Sequence, residues 1–215
     1  NGYFQYALNE AGYYEITGYV PAKVNGIVTA GEDAVDVVVP SVIGGIEVTS
    51  IGKQAFYNCT ALAQIDLSKA VTIGDYAFCG CTVVSVEIPD TVTSIWYSAF
   101  NDCIGLKEVK IPVDISSYNR FVDCANVEKI HYSYGTTGKM FDKAGSNTSY
   151  EYYARCLEYY SQEALTTVIF DEGITSIGSY AFYYCTALTE VKLPYQVTVN
   201  QVTKEFTSLS SKEVH

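Results

Sequence analysis

Cysteine is the residue whose spacing first invites a chemical reading. Seven occur, and five of them, Cys59, Cys81, Cys103, Cys124 and Cys185, stand three residues after a phenylalanine. Three chemistries compete for such a set: a ladder of small buried hydrophobes, disulfides, or a metal centre. Zinc sites gather ligands about two to four residues apart. Here only Cys79-Gly80-Cys81 is that close, and no histidine is near. An odd total forbids complete internal pairing. The expectation is therefore a buried ladder of reduced thiols with no metal, and with Cys79 and Cys156 as free thiols outside it.

Other catalytic chemistry is sparse. His131 and His215 are the two imidazoles, and neither belongs to a nucleophile or metal motif. Gly-x-Ser-x-Gly, His-Glu-x-x-His and phosphate-loop patterns are missing. The adjacent carboxylates Asp171 and Glu172 lie at a strand-to-turn junction, where solvated turn residues are the rule. No catalytic residue and no cofactor is expected. Net charge is −11 and the arginines are reduced to Arg120 and Arg155, which counts against nucleic acid and anionic membrane surfaces. No stretch reaches the roughly 18 apolar residues of a membrane span. Twenty tyrosines exceed what a core needs. They fit either an interface or rings bracing a thin core.

The cysteines recur because the whole chain recurs. Val48-Thr49-Ser50-Ile51-Gly52-Lys53-Gln54-Ala55-Phe56-Tyr57-Asn58-Cys59-Thr60-Ala61-Leu62 has a counterpart in Ile174 to Leu188, and three further copies run through Phe78, Phe100 and Phe121. All five share Phe-x-x-Cys-x-x-(Leu/Val), with Leu62, Val84, Leu106, Val127 and Leu188 at the last position. The phenylalanines are spaced 22, 22 and 21 residues apart. Each copy closes on an alternating apolar pair: Ile65 and Leu67, Val86 and Ile88, Val109 and Ile111, Ile130 and Tyr132, Val191 and Leu193. Such alternation marks a short strand, and the prolines Pro89, Pro112 and Pro194 stop it by removing a donor. Periods of 20 to 29 residues with one strand each stack into a curved coil in which no repeat buries its apolar face alone. The glycine after Ile51, Ile73 and Ile177 suits a tight turn, but Trp96 fills that slot in the third copy, so a positive φ is not required there.

The pattern Ile-Gly-x-x-Ala-Phe-x-x-Cys-x-x-Leu-x-x-Val-x-Ile-Pro resembles the BspA-like leucine-rich repeats of bacterial cell-surface and secreted proteins. The resemblance covers about 36–194 apart from one interruption. It implies a leucine-rich-repeat solenoid: a β-rich, horseshoe-like right-handed coil with one parallel strand per repeat. Tyr13 to Tyr19 and Val37-Val38-Val39-Pro40 resemble the β-rich cap that precedes such arrays. The expected organisation is one continuous domain: an N-terminal β cap over 1–35, repeats over 36–132, an insertion over 133–166, a final repeat over 167–194, and a C-terminal cap or tail over 195–215. Within the insertion, Ser133 to Gly138 reads as a loop, and Tyr153, Leu157 and Tyr160 at helical spacing predict a short helix within Ser149–Ala164. Val197 to Thr203 alternates like a last strand.

Family members are described as adhesins, so the resemblance implies an extracellular or cell-surface module that binds a protein or glycan. The alternative is a structural spacer within a larger surface protein. Residues alternating with the inward pairs, among them Gln64, Asp66, Glu87, Glu108, Lys110, Lys129, His131 and Lys192, form a polar stripe on the concave face. It suits a partner or solvent alike. Insertions in solenoids often map to the binding face, and this one concentrates Tyr150, Tyr152, Tyr153, Tyr159 and Tyr160. The candidate partner-binding set is those five tyrosines with Glu108, Lys110, Lys129 and His131; the opposing reading makes the insertion a plug.

Overall fold

The structure is a computed structural model. It describes residues 3–20, 23–24, 27–28, 40–60, 62, 65–115, 120–121, 123–138, 163–177, 182, 185–199 and 202–205. In chain order the strands are β1 (Tyr3–Leu8), β2 (Tyr14–Val20), β3 (Lys23–Val24), β4 (Ile27–Val28), β5 (Val42–Ile43), β6 (Ile46–Ile51), β7 (Thr72–Ile73) and β8 (Ser85–Glu87). They continue with β9 (Ser94–Ile95), β10 (Glu108–Pro112), β11 (Lys129–Ser133), β12 (Thr167–Phe170), β13 (Ser176–Ile177), β14 (Glu190–Lys192), β15 (Gln196–Val199) and β16 (Val202–Glu205).

The closing strands form one parallel sheet in the order β14-β12-β11-β10-β8. Its register aligns Val86, Val109, Ile130, Val168 and Val191 across five rungs. The first four are buried and Val191 is half-buried, so equivalent positions of successive repeats point into a shared core. β12 adds a rung at the start of the final repeat, directly after the interruption, with Val168 and Phe170 as its inward pair. The first copy differs. Ile65 to Leu67 is not a strand in the structure, and the Asp66 carboxylate accepts the Ser68 N–H at 2.9 Å, a local turn that competes with the ladder.

A second parallel wall faces the first, which one strand per repeat does not anticipate. It is built from residues just before each motif glycine, and its ladder aligns Ile16, Ile51, Ile73 and Ile95. All four are buried. Its two-residue strands are too short for a period-two signal, so only the recurrent Ser/Thr-Ile gives them away.

Between the walls runs the aromatic spine. Phe56, Phe78, Phe100 and Phe121 stack at centroid distances of 5.1, 5.1 and 5.0 Å, with interplanar angles of 14° or less. The motif places Phe182 at the same repeat position, but its ring contact among the described residues is edge-on with Phe170, at 6.0 Å and 72°. The interruption separates it from Phe121, and β12 supplies the nearer ring. A correction applies to the second copy: Val83 is fully buried and Val84 is 54% exposed. A residue is missing after Cys81, so the strand register pulls Val83 into the core slot.

Turn geometry is also periodic. Positive φ occurs two residues before the spine phenylalanine at Gln54, Tyr76 and Ser98, and two after it at Asn58, Gly80, Asp102 and Asp123. Gly52 and Gly74 are not among the positive-φ residues, in keeping with Trp96 in their slot. Successive turns are laced together: Gln54, Phe56 and Asn58 donate N–H to the carbonyls of Asp75, Ala77 and Cys79, and Tyr76, Phe78 and Gly80 repeat this with Tyr97, Ala99 and Asn101.

At the N-terminal end, β1 and β2 form an antiparallel hairpin, and β2 docks parallel on β6. Phe4 and Tyr19 contact Phe56 at 6.2 and 6.0 Å, closing the spine. Gly44 and Gly45, both at positive φ, make the two-residue turn of the β5–β6 hairpin. At the other end, the single strand expected over Val197–Thr203 is two: β15 and β16 pair antiparallel, with Val199 opposite Val202, leaving Asn200 and Gln201 to connect them. The helix expected within Ser149–Ala164 falls on residues outside those described, apart from Glu163 and Ala164, which form a turn.

Candidate functional site

The outward side chains of the five-stranded sheet form two columns. One runs Ser85, Glu108, Lys129, Thr167 and Glu190; the other runs Glu87, Lys110, His131, Ile169 and Lys192. The four concave residues singled out from the sequence are therefore neighbours on β10 and β11, with Glu108 opposite Lys129 and Lys110 opposite His131. Each cation is held by a carboxylate. Lys110 Nζ lies 2.7 Å from Glu87, Lys129 Nζ 3.4 Å from Glu108, and Lys107 Nζ 2.9 Å from Glu128 beside the sheet. The hydrogen bond to Glu87 raises the Lys110 pKa; partial burial opposes it, and Asp171 and Asp90 reinforce it. Exposed pairs of this kind contribute about 0.2–1 kcal/mol each. Their main effect is to leave the stripe charged but locally neutral.

His131 Nε2 lies 2.6 Å from Asp171 Oδ1, at the end of β12. Among the described residues Asp171 is the hydrogen-bond partner of this imidazole. Tyr150, Tyr152, Tyr153, Tyr159 and Tyr160 lie outside the described residues, and so do Gln64 and Cys156.

Sequence reasoning did not single out the corner at which β11 ends. Asp90 Oδ1 accepts the Ser133 hydroxyl at 2.5 Å and the Gly135 N–H at 3.2 Å. Asp114 Oδ2 accepts the N–H and hydroxyl of Thr136 at 2.8 and 2.6 Å, and the N–H of Thr137 at 2.8 Å. Burial alone would raise the Asp114 pKa, but the hydrogen bonds from Thr136 and Thr137 outweigh it and the net shift is downward. Gly138 O in turn accepts the Thr175 N–H at 2.8 Å. The Gly-Thr-Thr-Gly segment at the start of the interruption is thus fixed to repeats on both sides.

The cysteine ladder is present. Cys81, Cys103 and Cys124 donate their thiols to the carbonyls of Phe56, Phe78 and Phe100, at 3.1, 3.2 and 3.0 Å. Cys59, Cys79, Cys81, Cys103, Cys124 and Cys185 are thiols and not halves of disulfides. Burial first, then the neighbouring Cys103 and Cys59, push the Cys81 thiol far above its ordinary range. For Cys124 the leading cause is its hydrogen bond with Cys103, followed by burial. One detail departs from expectation: Cys185 is only half-buried. Cys79, outside the ladder, is a free thiol as expected, buried with its sulfur 3.8 Å from Asp102 Oδ2.

Two parallel walls, a stacked phenylalanine spine and in-register repeats define a leucine-rich-repeat solenoid. A family model described as BspA type leucine rich repeat region matches residues 41–152 and 155–211 in six copies. The chain belongs to that family. Among solved structures it is similar to a leucine-rich-repeat protein of T. pallidum, with 25% identity over 91% of this chain and 82% of that one, at a TM-score of 0.60. It is also similar to a leucine-rich cell surface protein from Faecalibacterium prausnitzii, with 20% identity over 91% and 76% and a TM-score of 0.39. A third is the pneumococcal vaccine antigen PcpA, with 16% identity over 89% and 68% and a TM-score of 0.35. No curated protein matches the chain.

Proposed function

We propose that this chain is a binding module of a secreted or cell-surface bacterial protein, recognising a protein or glycan partner rather than catalysing a reaction. The observation that carries the reading is the continuous in-register sheet, which presents two columns of outward side chains across five strands. Glu108, Lys110, Lys129 and His131 form its centre, and the tyrosines at 150, 152, 153, 159 and 160 are proposed to extend it. Membership of a family whose repeats build binding surfaces supports a module of this class.

A second reading, a spacer with no site of its own, draws on the pairing of Lys110 with Glu87 and Lys129 with Glu108. A stripe that neutralises itself needs no partner. Binding of the chain to arrays of matrix proteins and bacterial surface polysaccharides separates the two. The module binds at least one, and the double variant Lys110→Glu with Lys129→Glu loses that binding while keeping its fold by circular dichroism. A chain that binds none is the spacer. Replacing residues 139–162 by a Gly/Ser loop then tests the tyrosines: unchanged affinity in a folded variant removes them from the site.

A further inference from the structure

The single tryptophan is among the most exposed large hydrophobic side chains of the described residues. Trp96 is 58% exposed and the next residue, Tyr97, 52%. Packing does not explain either. Trp96 occupies the row of Gly52 and Gly74: its N–H donates to Ile73 O as theirs donate to Ile16 O and Ile51 O, so the coil closes equally well with no side chain there. Tyr97 occupies the row of Lys53 and Asp75, and its N–H lies 3.1 Å from Asp75 Oδ1. Tyr76 packs against Tyr97 edge to face, with centroids 5.6 Å apart at 72°. The second and third turns therefore carry an aromatic corner with a half-buried carboxylate at its base, outside the strands of the five-stranded sheet.

We propose that Trp96, Tyr97 and Asp75 form a binding site for a neutral pyranose ring of a glycan. Area argues for so small a ligand. Trp96 and Tyr97, each about half exposed, offer roughly 200 Å² between them, whereas a stable protein interface needs about 800 Å² per partner. Charge argues for a neutral one. A cationic ligand gains from the ring faces and Asp75 but meets the exposed Lys53 of the preceding turn and Arg120, whose Nε donates to Ile95 O in the next row. An anion meets Asp75 and the negative ring faces. A pyranose has an apolar C–H face that covers an aromatic ring, and hydroxyls for which Asp75 supplies an acceptor. The site is separate from the concave sheet and stands or falls independently of it.

Because Trp96 is the sole tryptophan, its fluorescence reports on this place alone. The experiment titrates the full chain with cellotetraose, mannotetraose and galactotetraose, and with tetraarginine as the cationic control. At least one of the sugars gives a saturable change in emission, weakened roughly tenfold in Asp75→Asn, which keeps an acceptor for the Tyr97 N–H but loses the charge. Trp96→Gly, which restores the residue of the sister copies, keeps the thermal midpoint and shows no sugar binding by calorimetry. The Lys110→Glu, Lys129→Glu variant of the concave sheet keeps the signal. Emission unmoved by all three sugars into the millimolar range, a saturable response to tetraarginine alone, or full calorimetric binding by Trp96→Gly overturns the proposal.

Discussion

The spine phenylalanines and the thiols beside them are the residues on which the fold is most dependent. Phe100 is fully buried and stacks on both Phe78 and Phe121, so Phe100→Ala removes two ring contacts and opens a cavity in the middle of the coil. It is expected to cost about 3–5 kcal/mol, read from the shift in urea midpoint. The thiols were legible in kind, as buried ladder residues, but not in detail. The sequence groups Cys185 with the ladder and leaves Cys79 out, whereas Cys79 is buried and Cys185 half-buried, because burial follows depth in the array as well as motif position. Burial first, then the charge of Asp102, raise the Cys79 pKa to about 11. Iodoacetamide is therefore expected to leave Cys79 almost unlabelled in the folded chain at pH values near 8. Asp102→Asn keeps a residue tolerant of the positive φ at that position. It should lower that pKa and shift the onset of labelling to lower pH, with the modified peptide identified by mass spectrometry.

Among elements, strands with a period-two signature were legible and turns were not. The motif glycines drew the eye as turn residues, yet the left-handed conformations sit at Gln54, Tyr76 and Ser98, where a lattice of inter-turn hydrogen bonds fixes the backbone whatever the side chain. The corner at 133–138 was legible as a loop, but its anchors were not, since Asp90 and Asp114 reach it from earlier repeats, 43 and 22 residues away. A diagnostic residue there is Gly135, at φ 67°, where an added Cβ falls 2.0 Å from Asp114 Oδ1. Gly135→Ala is expected to lower stability by at least about 1–2 kcal/mol. The pH dependence follows from Asp114, whose pKa is depressed in the folded state. Its contribution is complete above the unfolded value of about 4 and is lost as pH falls through the lower folded value. Thermal denaturation should therefore show Asp114→Asn less stable than the parent at neutral pH, with the difference fading at pH values well below about 4.

At the scale of the molecule, the interruption is the feature that breaks the period, and the described residues on either side show where the array keeps its frame. Gly138 O accepts the Thr175 N–H, as Val71 O accepts that of Thr93 and Thr49 O that of Val71, so the second wall is still in register at 138. Leu165 is buried like Leu106, and Thr166 and Thr167 donate to Glu128 O as Glu128 and Lys129 donate to Lys107 O, so the first wall is in register again by 165. The intervening arc spans 12 residues from Val71 to Val83, 13 from Thr93 to Leu106 and 27 from Gly138 to Leu165. The surplus thus falls between Gly138 and Leu165, while the first wall continues across it from β11 to β12. Nearest-neighbour stacking then makes a specific demand: the long arc can be exchanged for a short one without disturbing repeats further away. Replacing residues 139–164 by the 12-residue stretch from Ser94 to Gly105 should give a chain that folds cooperatively. Its N-terminal hairpin and first three turns should keep the amide hydrogen-exchange protection of the parent. Protection lost as far away as Phe56 and Phe78 would show that the surplus residues brace the whole coil, and that the frame at 138 and 165 does not suffice to carry the array across.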